Sequence, residues 1–146
     1  MTTGELLTLE SVLLGALEIR VETIITFEAG LPGFESLRAF ALVETERDEL
    51  VWLQSVDDPA LTFLLCDPFV LVPGFEVDLP PSDLAALGAS GQRESLLVLA
   101  VVQLDNGAPA AANLQSPIVI DRERRQARQV VLPDSRYGMQ HAISVA

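Results

Sequence analysis

The side chains able to do chemistry are few and poorly spaced for it. His141 is the sole histidine, and no second imidazole, thiol or carboxylate stands at metal-ligand spacing from it, so it reads as a surface or packing residue. No Gly-x-Ser-x-Gly elbow exists to present a nucleophilic serine to that histidine. Cys66 is the only cysteine and lies in an apolar run followed by Asp67 and Pro68, a setting that raises a thiol pKa and leaves it inert. Asp57 and Asp58 are adjacent carboxylates, but strand neighbours point to opposite faces and Pro59 follows, so the pair reads as a turn and not as a general acid and base. Gly30-Leu31-Pro32-Gly33 lacks the Lys-Ser/Thr ending of a phosphate loop and the spacing of a dinucleotide loop. Arg122, Glu123, Arg124 and Arg125, with Arg128 beyond, form one basic cluster without interleaved aromatics, the pattern of a solvated hairpin loop. Residues of these types in these places predict no catalysis, no metal and no cofactor.

Short apolar runs separated by Gly, Pro and Asp predict a mainly β fold, a small β-barrel-like single domain with a few short helices. Strands are predicted over Val12 to Val21, Thr23 to Phe27, Ala39 to Val43, Leu50 to Val56, Thr62 to Cys66, Ser95 to Gln103, Ser116 to Asp121 and Ala127 to Leu132. Alternation is clearest where Val51, Leu53 and Ser55 oppose Trp52, Gln54 and Val56, and where Leu61, Phe63 and Leu65 share a face. Before Val12, Leu6 and Leu9 continue with Leu13 and Leu17 at helical spacing, while Gly15 and the β-branched Ile19, Val21, Ile24 and Ile25 favour strands beyond it; the expectation is a short helix or coil, then a hairpin. A helix is expected from Ser82 to Leu87, with Ser82 as cap after Pro80 and Pro81 and Gly88 as its stop. A short helical turn at Glu35 to Arg38 and a last helix from Arg136 to Ile143 complete the prediction. Pro32 between Gly30 and Gly33 marks one turn, and Asp105-Asn106-Gly107 closes a hairpin.

With 146 residues the chain fits one domain, burying roughly 70% of its unfolded surface. Hydrophobic residues make up 49%, with a mean hydropathy of +0.36, unlike a disordered chain. The longest apolar run, Leu96 to Val102, is far short of the roughly 18 residues a membrane span needs. Met1 to Leu17 holds Glu5 and Glu10 but no cation, the wrong charge for a secretory signal. Together with the lone thiol, these features predict a cytoplasmic protein. The chain has 21 acids, 9 arginines and no lysine, for a net charge of −12. Residues 1–110 hold 18 of the acids and 4 arginines, whereas residues 111–146 hold 3 acids and 5 arginines. Such a surface disfavours direct nucleic-acid binding and suits either solubility or a basic protein partner.

Five segments together resemble a known family. Ile25-Thr26-Phe27-Glu28-Ala29-Gly30-Leu31-Pro32-Gly33-Phe34-Glu35, Trp52-Leu53-Gln54-Ser55-Val56, Phe63 to Pro68, Ala112-Asn113-Leu114-Gln115-Ser116-Pro117-Ile118-Val119-Ile120 and Arg128-Gln129-Val130-Val131-Leu132 stand in the order and spacing of the flagellar assembly factor FliW family. The similarity runs from about Val12 to Ile143, leaving Met1 to Ser11 as an N-terminal extension (1–11) and 12–146 as the FliW-like barrel domain. Ala111, Ser116 and Asp121 depart from the residues usual in the family. The resemblance implies a non-catalytic partner switch: the protein binds flagellin and, alternatively, sequesters the RNA-binding translational regulator CsrA, relieving repression of flagellin mRNA.

Gly30, Pro32 and Gly33 read as turn formers, and Trp52 and Leu53 as core. Gln54, Ser55 and Asn113 are polar residues in apolar surroundings, serving buried backbone groups or a partner. Asp57, Asp58 and Glu76 are the expected acidic contacts, because turns carry exposed binding residues. The alternative is a barrel enclosing a small ligand or sugar; a hydrolase resting on His141 alone is the weakest option.

Overall fold

A computed structural model gives the structure of residues 5–88, 95–132 and 136–145. Its elements are strands β1 (Leu6–Ser11), β2 (Gly15–Arg20), β3 (Ile25–Phe27), β4 (Ala39–Glu44), β5 (Leu50–Ser55) and β6 (Thr62–Cys66), helices α1 (Pro68–Leu71) and α2 (Pro81–Ala86), then β7 (Leu96–Asp105), β8 (Ala108–Ala112), β9 (Ile118–Asp121), β10 (Gln126–Gln129) and β11 (His141–Ala142). Strands β3 to β7 form an antiparallel meander. The first half of β7 pairs with β9 and its second half with β8. Strand β9 pairs with β10, and β10 returns parallel to β3, which closes a seven-stranded barrel.

Alternate side chains from all seven strands fill the barrel. Phe27, Phe40, Leu53, Leu65, Ile118 and Ile120 are at most 1% exposed, and Phe27 meets Phe40 edge-on at 5.3 Å, an arrangement favoured by ring quadrupoles. The chain between β6 and β7 covers part of the outside. Val72 and Phe75 pack on Leu64, Cys66, Ala100 and Val102, while Leu79, Leu84 and Leu87 pack on Val98 and Val119. Strands β6 and β9 and the stretch of β7 from Leu96 to Val102 are thus covered on both faces, which explains their continuous apolar runs. Burial, then the neighbouring Asp67 charge, pushes the Cys66 thiol up to about 11, so it belongs to the core.

Several expectations need correction. The first segment is neither helix nor coil, and no single strand spans Val12 to Val21: β1 and β2 form a hairpin that turns through Val12 to Leu14, with Gly15 at φ 80°. Leu7 pairs with Ile19 and Leu9 with Leu17, so the period-2 set is the buried face, while Leu6 and Leu13, which belong to the helical spacing, are exposed. Residues 1–4 lie outside the described residues, and the boundary expected at residue 12 falls in this turn.

Strand β8 was not among the predicted strands, because Ala-Pro-Ala-Ala-Ala carries little β propensity, but the hairpin predicted at Asp105-Asn106-Gly107 is present: the Asn106-Gly107 turn, at φ 53° and 79°, folds β8 back on β7 as a type I′ turn does. The helix expected over Arg136 to Ile143 is replaced by β11, paired with β8 and flanked by Tyr137, which packs on Phe75 at 5.0 Å. Glu35 to Arg38 is a non-helical turn. Helix α2 starts at Pro81 with Pro80, not Ser82, in the cap position and no side-chain cap bond; proline at the first helical position lacks an N–H that would go unused. Helix α1 follows from Asp67, whose side chain accepts from the Phe69 N–H.

Candidate functional site

Gln54 and Ser55 end β5 and hold the turn into β6. Gln54 Oε1 accepts from the Ser11 and Thr62 hydroxyls, while its Nε2 donates to the carbonyls of Ser55 and Asp58 at 3.1 and 3.3 Å. Both residues are buried. Ser55 Oγ accepts from the Asp57 and Asp58 N–H groups at 3.2 and 3.0 Å, and Asp58 Oδ1 accepts from Ala60 N–H. The β1–β2 hairpin is tied to the same turn by the Val12 N–H, which donates to the Pro59 carbonyl at 2.9 Å. A buried amide thereby fixes a turn that presents Asp57 to solvent and leaves Asp58 half-buried. Neither carboxylate is ion-paired among the described residues.

The other two predicted residues lie elsewhere. Glu76 is exposed on the loop between α1 and α2, ion-paired to Arg136 at 2.9 Å, with its N–H donating to the Tyr137 hydroxyl. Asn113 is half-buried between β8 and β9, where its Oδ1 accepts from Ser116 N–H at 3.1 Å. It lines a recess of about 180 Å³ with Leu31, Phe34, Phe63, Ile118 and Gln129, below the roughly 300 Å³ of a small-molecule pocket. Pro32 and Gly33, the latter at φ 87°, form the centre of a type II turn closed by Phe34 N–H to the Leu31 carbonyl at 2.7 Å. Backbone N–H groups, that of Gly33 first, hold the Glu35 carboxyl below its ordinary pKa.

The remaining chemistry is structural. Among the described residues no cluster of three His, Cys, Asp or Glu side chains is placed to hold a metal, and no helix is long and apolar enough to cross a membrane. His141 stacks edge-on to Tyr137 at 5.8 Å. The basic cluster forms the β9–β10 turn around buried Asp121. Burial works to raise the Asp121 pKa, but the Arg124 N–H, the Arg124 guanidinium, the Glu123 N–H and the guanidinium charge outweigh it, so the net shift is downward. Asp121 therefore stabilises the fold above the unfolded carboxyl's pKa, and that contribution is lost as pH falls through its lower folded value. Asp121→Asn should be less stable than the parent at pH 7 and should lose less on acidification to pH 3, as read by melting temperature; equal acid sensitivity would refute this.

Arg128 Nε lies 2.9 Å from Asp83 Oδ1 without the alignment of a hydrogen bond, so this contact between β10 and α2 is an ion pair alone. Trp52, expected in the core, is half-buried on the outer face. Its alternation against Leu53 carried that signal.

A family model described as "FliW protein" matches residues 8–143. The chain is 36% identical over 131 residues to the flagellar assembly factor FliW of Treponema denticola, covering 89% of this chain and 88% of that one. It is 36% identical over 129 residues to the FliW of Geobacillus thermodenitrificans, at 88% and 90% coverage. A crystal structure of the flagellar assembly factor FliW superposes with a TM-score of 0.84 at 33% identity, over 92% of this chain and 95% of that one.

Proposed function

The chain belongs to the FliW family of flagellar assembly factors, and from that premise we propose that it is a non-catalytic cytoplasmic regulator that binds flagellin and, alternatively, CsrA. Capture of CsrA would free flagellin mRNA for translation, and capture of the protein by unexported flagellin would reverse this, by mass action between two competing occupancies. The observation that carries the proposal is family membership across nearly the whole described barrel. The charge distribution supports the CsrA half. Of the described arginines, Arg47, Arg124, Arg128 and Arg136 are bound to acids of this chain, and acids such as Asp57 and Asp58 stay available to a basic RNA-binding surface while repelling RNA phosphates.

Purified protein should bind flagellin and CsrA separately, and each should displace the other. Affinity for CsrA should fall at least severalfold between low and physiological salt, since exposed charges are screened beyond roughly 10 Å at 0.1 M. Binding to neither partner would overturn the proposal, and a ternary complex would overturn the switch. A small-ligand barrel is less well supported, because the barrel interior is filled by side chains.

A further inference from the structure

Outside the barrel, the tips of the β4–β5 and β7–β8 hairpins flank an open groove of about 750 Å³. Trp52 and Leu64, paired across β5 and β6, form its floor, with Leu104 and Pro109 from the second hairpin and Glu44 and Glu46 from the first. Leu104 is 49% exposed and offers an apolar surface at the groove. Among the described residues the one cation lining the groove, Arg47, is ion-paired to Glu49, whereas Glu44 and Glu46 are exposed and unpaired. An apolar floor between uncompensated carboxylates complements a segment whose apolar residues are flanked by Arg or Lys. The Trp52 ring adds a surface on which a guanidinium can stack.

We propose that this groove docks a basic, amphipathic segment of a protein partner, with its apolar side chains on Trp52, Leu64 and Leu104 and its cations at Glu44 and Glu46. The inference rests on the partner-switch function proposed above. Of the two partners, the RNA-binding one must carry a basic surface, so the occupant is assigned to CsrA.

Trp52 is the only tryptophan, so 5-fluorotryptophan incorporation yields one fluorine resonance, placed in the groove. Titration with CsrA should shift that resonance. The Glu44→Lys/Glu46→Lys variant should bind CsrA about tenfold or more weakly, with an unchanged melting temperature because both side chains are exposed. An equal charge reversal at Asp57 and Asp58 should weaken binding less. Groove variants that bind CsrA as the parent does, or a Trp52 resonance that does not move while CsrA binds, would overturn the groove and leave the partner switch standing. Failure of CsrA to bind the parent would overturn both. Equal losses from the two charge reversals would reduce the rim to long-range steering and also overturn the assignment.

Discussion

Gly30→Ala should destabilise the protein by about 2–5 kcal/mol, combining the cost of a left-handed non-glycine residue with that of overpacking. A Cβ at Gly30 would lie 2.6 Å from Glu35 Cα and 2.7 Å from the Glu35 carbonyl oxygen, with φ at 70°. Both contacts are backbone atoms and cannot swing aside as a side-chain end would. They sit where β3 enters the type II turn, with the Gly30 N–H donating to the Phe27 carbonyl at 2.9 Å, so relief would have to displace a strand of the barrel. Such a loss is a large share of the roughly 5–15 kcal/mol that holds a domain folded. Gly33→Ala is the matched control: its φ is 87°, but nothing lies within 4 Å of the added carbon. It should lose only about 1–2 kcal/mol of backbone strain. Urea unfolding of both variants measures the difference, and equal losses would show that the contact with Glu35 has no weight.

Gln54→Leu should cost about 3–5 kcal/mol, although it nearly conserves volume, because buried polar partners left unmatched cost about 1–3 kcal/mol each. The substitution strands the hydroxyls of Ser11 and Thr62 and removes the amide donor from the Ser55 and Asp58 carbonyls, of which Asp58 keeps the Leu61 N–H. The effect should spread to the N-terminal hairpin, since Ser11 reaches the barrel through Gln54. Hydrogen exchange at the Val12 N–H, bonded to Pro59, should accelerate more than exchange at strands β9 and β10. Adding Ser11→Ala should restore part of the stability, because the two residues act as one network. A Gln54→Leu protein within about 1 kcal/mol of the parent would contradict this, since a single orphaned group already exceeds that margin.

Strands β4, β5 and β6 were legible in the sequence as short apolar runs bounded by turn residues, with alternation to support the second and third. The amino-terminal hairpin was not, since its leucines satisfy helical and strand periods together and only the pairing across Gly15 decides between them. Strand β8 was hidden by alanines that carry no preference, though the Asn-Gly turn before it was readable. At the candidate site, the Asp57-Asp58 turn and the enclosed amide of Gln54 were visible as residue types in context. The pairing of Glu76 with Arg136 spans 60 positions, and the groove joins Glu44 and Trp52 to Leu104. Local periodicity carries no trace of such encounters, which exist only once strands far apart in the chain have been brought together.

The parallel pairing of β10 with β3 sets residue 126 beside residue 26, and this has a consequence in time as well as in space. During synthesis β3 can find β4 at once, but its other edge stays open until residues 126 and 127 have left the ribosome. Pairings this distant are slow to form because the intervening loop must first be closed, and an unpaired edge recruits other strands meanwhile. The ring therefore closes only after β4 to β9 have all been made. A chain interrupted before residue 126 would be an open sheet with adhesive borders, not a smaller barrel.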